Sequence, residues 1–286
     1  MSYHNKTVWI TGASSGIGEA LAHGLSARGA RLVVSGRRSD ALEALARVLD
    51  ADTLVLPFEA TDFAALPEAV RTAWEWRDGI DLLVNNAGIS QRSLAIDTEF
   101  EVYRRLMEID YFAPMRLTQL ILPKLIKQGH GHLAVVSSVA GKVGAPMLSG
   151  YSAAKHACVG YFDALRAEIE TAYNIQVSVI LPGSVRTNIA VNALGADGTA
   201  RGRSDANIDA GMRPEAAASI ILDGLASGMR EIPVAQGAEA IALTLRASDP
   251  EKLFSVTAQE GARLAEARKA DRTSIDPGRR DGNDLR

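Results

Sequence analysis

Short apolar runs alternate with longer helical patterns through most of this chain, and that alternation limits the available folds more than any other feature. Residues 7–10, 31–35, 53–57, 80–84, 133–136 and 176–181 read as strands. They are mostly apolar instead of alternating with polar residues, as expected of strands covered on both faces. Helical patterns fill the gaps at 16–28, 40–49, 62–76, 99–128 and 151–173. Strand, helix, strand repeated this often predicts right-handed βαβ units, hence an α/β fold with one doubly wound parallel sheet and helices on both faces. Ligands of such a sheet bind beyond the carboxyl ends of its strands, so the residues just after each strand carry the functional argument.

Composition narrows the class. With 286 residues, 47% of them apolar and 23% charged, the chain matches an ordinary globular protein able to bury a large core. A net charge of -3 offers no footprint for nucleic acid or an anionic membrane. Cys158 is the single cysteine, which excludes an internal disulfide and suggests a reducing compartment. It sits in an Ala-rich helical run and reads as a small packed side chain. Met1 to Lys6 are polar and show no signal-peptide pattern, and no run approaches the ~18 apolar residues of a membrane span. A soluble cytoplasmic protein is expected. No repeat or low-complexity tract breaks residues 1–235, which are expected to form one domain.

After the first strand comes Thr11-Gly12-Ala13-Ser14-Ser15-Gly16-Ile17-Gly18, then a helix. Glycines there permit tight backbone angles, let main chain approach a diphosphate and bring the helix close to the sheet. The helix N-terminus adds free N–H groups for phosphate. This predicts a Rossmann-type dinucleotide site. After the second strand, Gly36 stands where an acidic residue would meet the ribose hydroxyl of NAD, and Arg37 and Arg38 follow. Guanidinium groups suit a 2′-phosphate, so NADP(H) is expected in preference to NAD(H). Asn85-Asn86-Ala87-Gly88 follows the fourth strand, either tying loops together and leaving room for a ribose or forming a simple Asx turn. After the fifth strand come Ser137 and Ser138, and the next helix opens with Tyr151 and Lys155 at i and i+4. An ammonium beside a phenol favours the phenolate, so Tyr151 can exchange a proton with a carbonyl or alcohol oxygen that a serine hydroxyl holds.

Together these residues resemble the short-chain dehydrogenase/reductase family, in its compact branch. The matching motifs are 11–18, 85–88, Ser138, 151–155, and Pro182-Gly183 with Thr187, spanning about the first two-thirds of the chain. The resemblance implies that Gly12, Ser14, Ser15, Gly16, Ile17 and Gly18 hold the adenosine and diphosphate side of the cofactor. It implies further that Arg37 and Arg38 meet the 2′-phosphate, Glu59 lies near the adenine and Asn85 lies along the adenosine ribose. Gly88, Pro182 and Gly183 would border the cofactor, and Thr187 would contact the nicotinamide amide. Ser138 would orient the substrate oxygen and Tyr151 would be the general acid or base. Lys155 would bind the nicotinamide ribose and lower the Tyr151 pKa. No metal is implied. Residues 111–118 and 140–143 also look like hydroxysteroid- and retinoid-related reductases, which favours a bulky apolar carbonyl or alcohol substrate.

One position departs from the family. Where the family usually has an Asn supporting a proton relay, this chain has Asp110, and Pro114 four residues on leaves the Asp110 carbonyl without its helical donor. Asp110 is therefore either part of the relay or a structural residue beside a kink. The polar stretch 188–212 is expected to be a substrate lid extending through the next helix to about residue 228. Ile89, Ser90, Gln91, Leu148, Ser184, Ile189 and Val191 are candidate walls. Residues 236–270 read as a helical extension packed on the domain, and 271–286 as a disordered tail. Apolar residues nearly all round the helix 151–173 suggest a second subunit, in a homodimer or homotetramer. Two rival readings remain: an NADP-binding sensor without turnover, and a nucleotide-sugar epimerase or dehydratase.

Overall fold

The computed structural model describes residues 2–270; the tail expected at 271–286 lies outside them. The chain begins β1 (Thr7–Thr11), α1 (Gly16–Ser26), β2 (Arg31–Ser35), α2 (Ser39–Val48), β3 (Thr53–Val55), α3 (Leu66–Glu75) and β4 (Leu82–Asn85). It continues with α4 (Phe100–Met107), a π-helical turn (Glu108–Phe112), α5 (Ala113–Gln128), β5 (Gly131–Val136), α6 (Ser149–Tyr173) and β6 (Ile175–Pro182). Last come α7 (Ala206–Asp209), α8 (Pro214–Ala226), β7 (Glu231–Val234), α9 (Gly237–Ser248) and α10 (Pro250–Lys269).

The seven strands form one parallel sheet in the order β3-β2-β1-β4-β5-β6-β7. Successive side chains of β1 divide between two cores: Val8 and Ile10 pack under α1, α2 and α8, while Trp9 joins the core under α3, α5 and α6. Trp9 is fully buried, and its indole N–H donates to Ser35 Oγ at 2.9 Å. Leu21 and Leu25 of α1 meet Ile221 and Leu222 of α8, all buried, each stabilising the fold by roughly 2 kcal/mol. The strand order reverses between β1 and β4, and a cleft opens there at the carboxyl ends.

The expected helix at 99–128 is broken. The Ala113 N–H reaches back five residues to the Glu108 carbonyl, forming the π-turn. Pro114 has no N–H to give the Asp110 carbonyl, which instead accepts the Cys158 S–H at 2.8 Å. The helix expected from residue 62 starts at Leu66, because the Asp62 carboxylate first turns the chain by accepting the Ala65 N–H at 3.2 Å.

The stretch expected to form a substrate lid, 188–228, overlaps a helix of the main core. Ala217, Ala218, Ile221, Leu222 and Leu225 commit α8 to the main core. The preceding segment is folded as well: Ala190, Ala193, Leu194 and Ile208 are buried, and Met212 N–H donates to Ser184 O at 3.0 Å where its two ends meet. On α10, Leu253 and Leu264 are buried whereas Phe254 and Val256 face outward, so its apolar stripe is narrow. No helix among the described residues is long and apolar enough to cross a membrane.

Candidate active site

The cleft encloses about 590 Å³ and is lined from one end to the other by residues of the motifs above. At one end the chain leaves β1 through Gly12 and Gly16, with φ of +65° and +62° that only glycine adopts freely. A Cβ on Gly18 would lie 2.4 Å from the Gly12 carbonyl oxygen, so the turn and α1 can approach this closely only without a side chain. Ser15 caps α1 without a side-chain hydrogen bond, leaving the first N–H groups of the helix open for an anion. Asn86 holds the turn in place: its amide donates to Thr11 O at 2.9 Å and Gly12 O at 3.2 Å, and its backbone N–H to Thr11 Oγ1 at 3.0 Å.

Asn85 takes a different position from the one expected. Its side chain is buried and donates to Thr118 Oγ1 at 3.2 Å, because the last residue of a strand points to the opposite face from its successor. Asn86, Ala87 and Gly88 line the cleft in its place. Arg38 donates to Ser14 O at 2.8 Å, and Arg37 lies 3.7 Å from Glu59 across the cleft rim.

At the other end, Ser138, Tyr151 and Lys155 line the same cleft. Ser138 Oγ donates to Pro182 O at 3.2 Å and accepts the Ala140 N–H at 3.0 Å. The Lys155 ammonium donates to Val136 O at 3.1 Å and lies 5.7 Å from the centre of the Tyr151 ring. Asp110 Oδ1 is 3.2 Å from the same ammonium and accepts the Ile89 N–H at 3.1 Å. The carboxylate and ammonium are both buried, and a Cβ on Gly88 would fall 2.5 Å from Asp110 Oδ1. Burial pushes the Asp110 carboxyl up, against the pull of Lys155 and the Ile89 N–H. Burial alone would push Lys155 down, but Asp110 and Tyr151 outweigh it and hold the amine above its ordinary value. Lys155 does pull the Tyr151 phenol down, yet burial and the Asp110 charge prevail and leave it raised. Burial also lifts the Cys158 thiol to about 12, so it is a packed hydrogen-bond donor and not a nucleophile.

The short chain dehydrogenase family model matches residues 6–196, the stretch that builds both ends of this cleft. The chain is a short-chain dehydrogenase. Members of the family are NAD(P)-dependent oxidoreductases, and this chain is one of them. It is 38% identical to dehydrogenase/reductase SDR family member 7B of Bos taurus, over 89% of this chain and 81% of that one. It is also 38% identical to human dehydrogenase/reductase SDR family member 7, over 80% of this chain and 70% of that one. Its fold matches a short-chain dehydrogenase/reductase from Burkholderia phymatum in complex with NAD, with a TM-score of 0.77 at 21% identity over 97% and 99% of the two chains. A short-chain dehydrogenase from Burkholderia cenocepacia in complex with NADP matches with a TM-score of 0.73 at 23% identity, over 90% and 99%.

In this dehydrogenase the glycine turn fits a dinucleotide, because Gly12, Ser14, Ser15 and Gly16 line the cleft and the N-terminus of α1 stays open to an anion. Thr187, Pro182 and Gly183 line the cleft beside Ser138, and Thr187 also packs near Gly16. Of the candidate wall residues, Ile89 and Ile189 line the cleft. Leu148, Ser184 and Val191 are not among its lining residues, and Ser90 is buried behind it. Gln91 serves the backbone instead of the cleft wall. Its buried amide oxygen accepts the N–H groups of Gly150 at 2.8 Å and Tyr151 at 3.3 Å, capping the helix that carries the phenol. Leu194, with Ile89, Val102, Leu106 and Tyr151, forms an apolar cluster that sequence reading missed, since only the folded segment 188–213 brings Leu194 there. That segment is fastened by Leu194 N–H to Ser90 O at 2.8 Å and by the buried ion pair Arg92–Asp205 at 2.5 Å, in which Arg201 joins.

Proposed function

We propose that this enzyme prefers NADP(H) and interconverts a carbonyl and an alcohol, with Tyr151 as general acid and base. When bound, the nicotinamide donates or accepts the hydride at the substrate carbon. Tyr151 gives its phenol proton to the carbonyl oxygen in reduction and takes it back in oxidation. Ser138 turns its hydroxyl proton from the Pro182 carbonyl to the same oxygen and keeps it within reach of the phenol. Lys155 stabilises the phenolate electrostatically and would meet the nicotinamide ribose of the bound cofactor. Asp110 holds Lys155. Gly12, Ser14, Ser15, Gly16, Ile17 and Gly18 receive the diphosphate, Arg37 and Arg38 the 2′-phosphate, and Thr187 the carboxamide.

The observation that carries this reading is the convergence of Ser138, Tyr151 and Lys155 in one cleft with the glycine turn. The apolar residues Ile89, Ile189 and Leu194 on the wall favour a bulky apolar ketone or alcohol. A homo-oligomer is also part of the reading, because the outward face of α6 carries Ala153, Gly160 and Ala164 and a half-exposed Phe112 lies on the adjoining π-turn. A panel of apolar ketones and alcohols, followed by absorbance of the reduced nicotinamide with each cofactor, tests it. Turnover is expected with NADPH in preference to NADH. Tight NADPH binding with no turnover of any carbonyl would favour a sensor instead.

A further inference from the structure

We propose that helices α9 and α10 are a working part of the nicotinamide end of the cleft, with Glu239 the positioning residue that holds the turn after β6. The inference rests on the function proposed above. Glu239 lies in the first turn of α9. Its Oε2 accepts the Ser184 N–H at 2.7 Å and its Oε1 accepts the Ser184 hydroxyl at 2.7 Å. Ser184 Oγ accepts in turn from the Asn207 amide at 3.0 Å. The carboxylate occupies the space beside Gly183, where a Cβ would lie 2.0 Å from Oε2.

This grip is close to the chemistry. Gly183 lines the cleft, and the carbonyl of Pro182 before it accepts the Ser138 hydroxyl at 3.2 Å. Ser184 also closes the neck of the segment 188–213, since its carbonyl accepts the Met212 N–H at 3.0 Å. One carboxylate therefore holds both the cleft-lining turn at Gly183 and the base of the segment 188–213. The C-terminal helices hold the other side of Ser138 independently. Val139 and Val143, in the turn that Ser138 opens, pack against Leu253 of α10 with Ala242, Leu243 and Leu245 of α9. Arg246 of α9 donates to Lys142 O at 3.2 Å. Both segments flanking the serine are thus held from outside the stretch that the family model matches, which ends at residue 196.

The test compares Glu239→Ala, Glu239→Gln and, as a control, Ile241→Ala on the exposed face of the same helix. NADPH affinity is read by nicotinamide fluorescence, kcat and KM with an active ketone, and Tm by thermal unfolding. Losing two charge-assisted hydrogen bonds predicts about ten-fold weaker NADPH binding and about ten-fold lower kcat for Glu239→Ala. Tm is expected within about 3 °C of wild type. Glu239→Gln retains one acceptor and is expected to recover to about three-fold below wild type. Ile241→Ala should match wild type throughout. Affinity and kcat unchanged in Glu239→Ala would overturn the proposal while leaving the enzyme assignment standing. If Glu239→Ala fails to fold, Glu239→Gln decides: wild-type affinity and kcat in that variant overturn the proposal. A wild type that neither binds NADPH nor turns over a ketone refutes the assignment itself, and the proposal with it.

Discussion

Replacing Asp110 with Asn exchanges a charged oxygen for a neutral amide of the same shape beside Lys155. The carboxylate and ammonium lie 3.2 Å apart, both buried, and attract by about 5 kcal/mol at an effective dielectric of ~20. Desolvating the carboxylate offsets much of that, and Lys155 keeps its bond to Val136 O and its place on the cleft. A net loss of about 2 kcal/mol remains, less than the 3–5 kcal/mol typical of a sealed pair, and Tm should fall by about 5 °C. The functional effect concerns Tyr151. Burial raises its pKa first, Lys155 lowers it and Asp110 raises it again, so removing the Asp110 charge lowers it. Alcohol oxidation needs the phenolate, and the rising limb of kcat/KM against pH should therefore move to lower pH in Asp110→Asn. The assay is steady-state oxidation across pH with NADP and one alcohol. An unmoved limb would mean that Asp110 already stands neutral beside Lys155. A limb moved upward would mean that Lys155 loses its proton instead, and either result refutes the reasoning.

Arg37→Ala should weaken NADPH by about a hundred-fold and NADH by less than about three-fold, whereas equal losses would remove the 2′-phosphate assignment. It is a cleaner variant than Arg38→Ala, because Arg38 also holds Ser14 O at 2.8 Å. Gly88→Ala puts a methyl 2.5 Å from Asp110 Oδ1 and 3.2 Å from Lys155 Nζ, and kcat/KM should drop about a hundred-fold in a folded protein; wild-type rates would show the pair to be displaceable. Burial pushes His132 from 6.5 down to about 4. The folded state then binds fewer protons than the unfolded chain between those values, and stability is lost as pH falls through that window. From pH 7 to pH 5 wild type should lose about 2 kcal/mol more than His132→Gln in urea unfolding, and parallel curves would contradict this.

Much of the fold was legible because strand and helix periods are local properties. Residues 31–35 were read with their observed bounds, and Pro114 marked the point where the long helix breaks. The glycine turn and the Tyr151–Lys155 pair were legible for the same reason, since each is contiguous or one helical turn apart. What escaped depends on contacts distant in sequence. Gln91 looked like a wall residue until the fold brought it to the N-terminus of α6, 59 positions along the chain. Glu239 gave no signal, because its partner Ser184 is 55 residues earlier. Asn85 and its neighbour Asn86 point to opposite faces at the end of β4, and which of them meets the cleft depends on how the strand is seated in the sheet.

The phenol of Tyr151 is the group on which the proposed proton transfer depends. In paired assays, wild type and Tyr151→Phe are titrated with NADPH by fluorescence and then given the same ketone. The expected result is equal NADPH affinity, with turnover falling at least about a thousand-fold in the variant. Turnover by Tyr151→Phe at the wild-type rate would contradict the account.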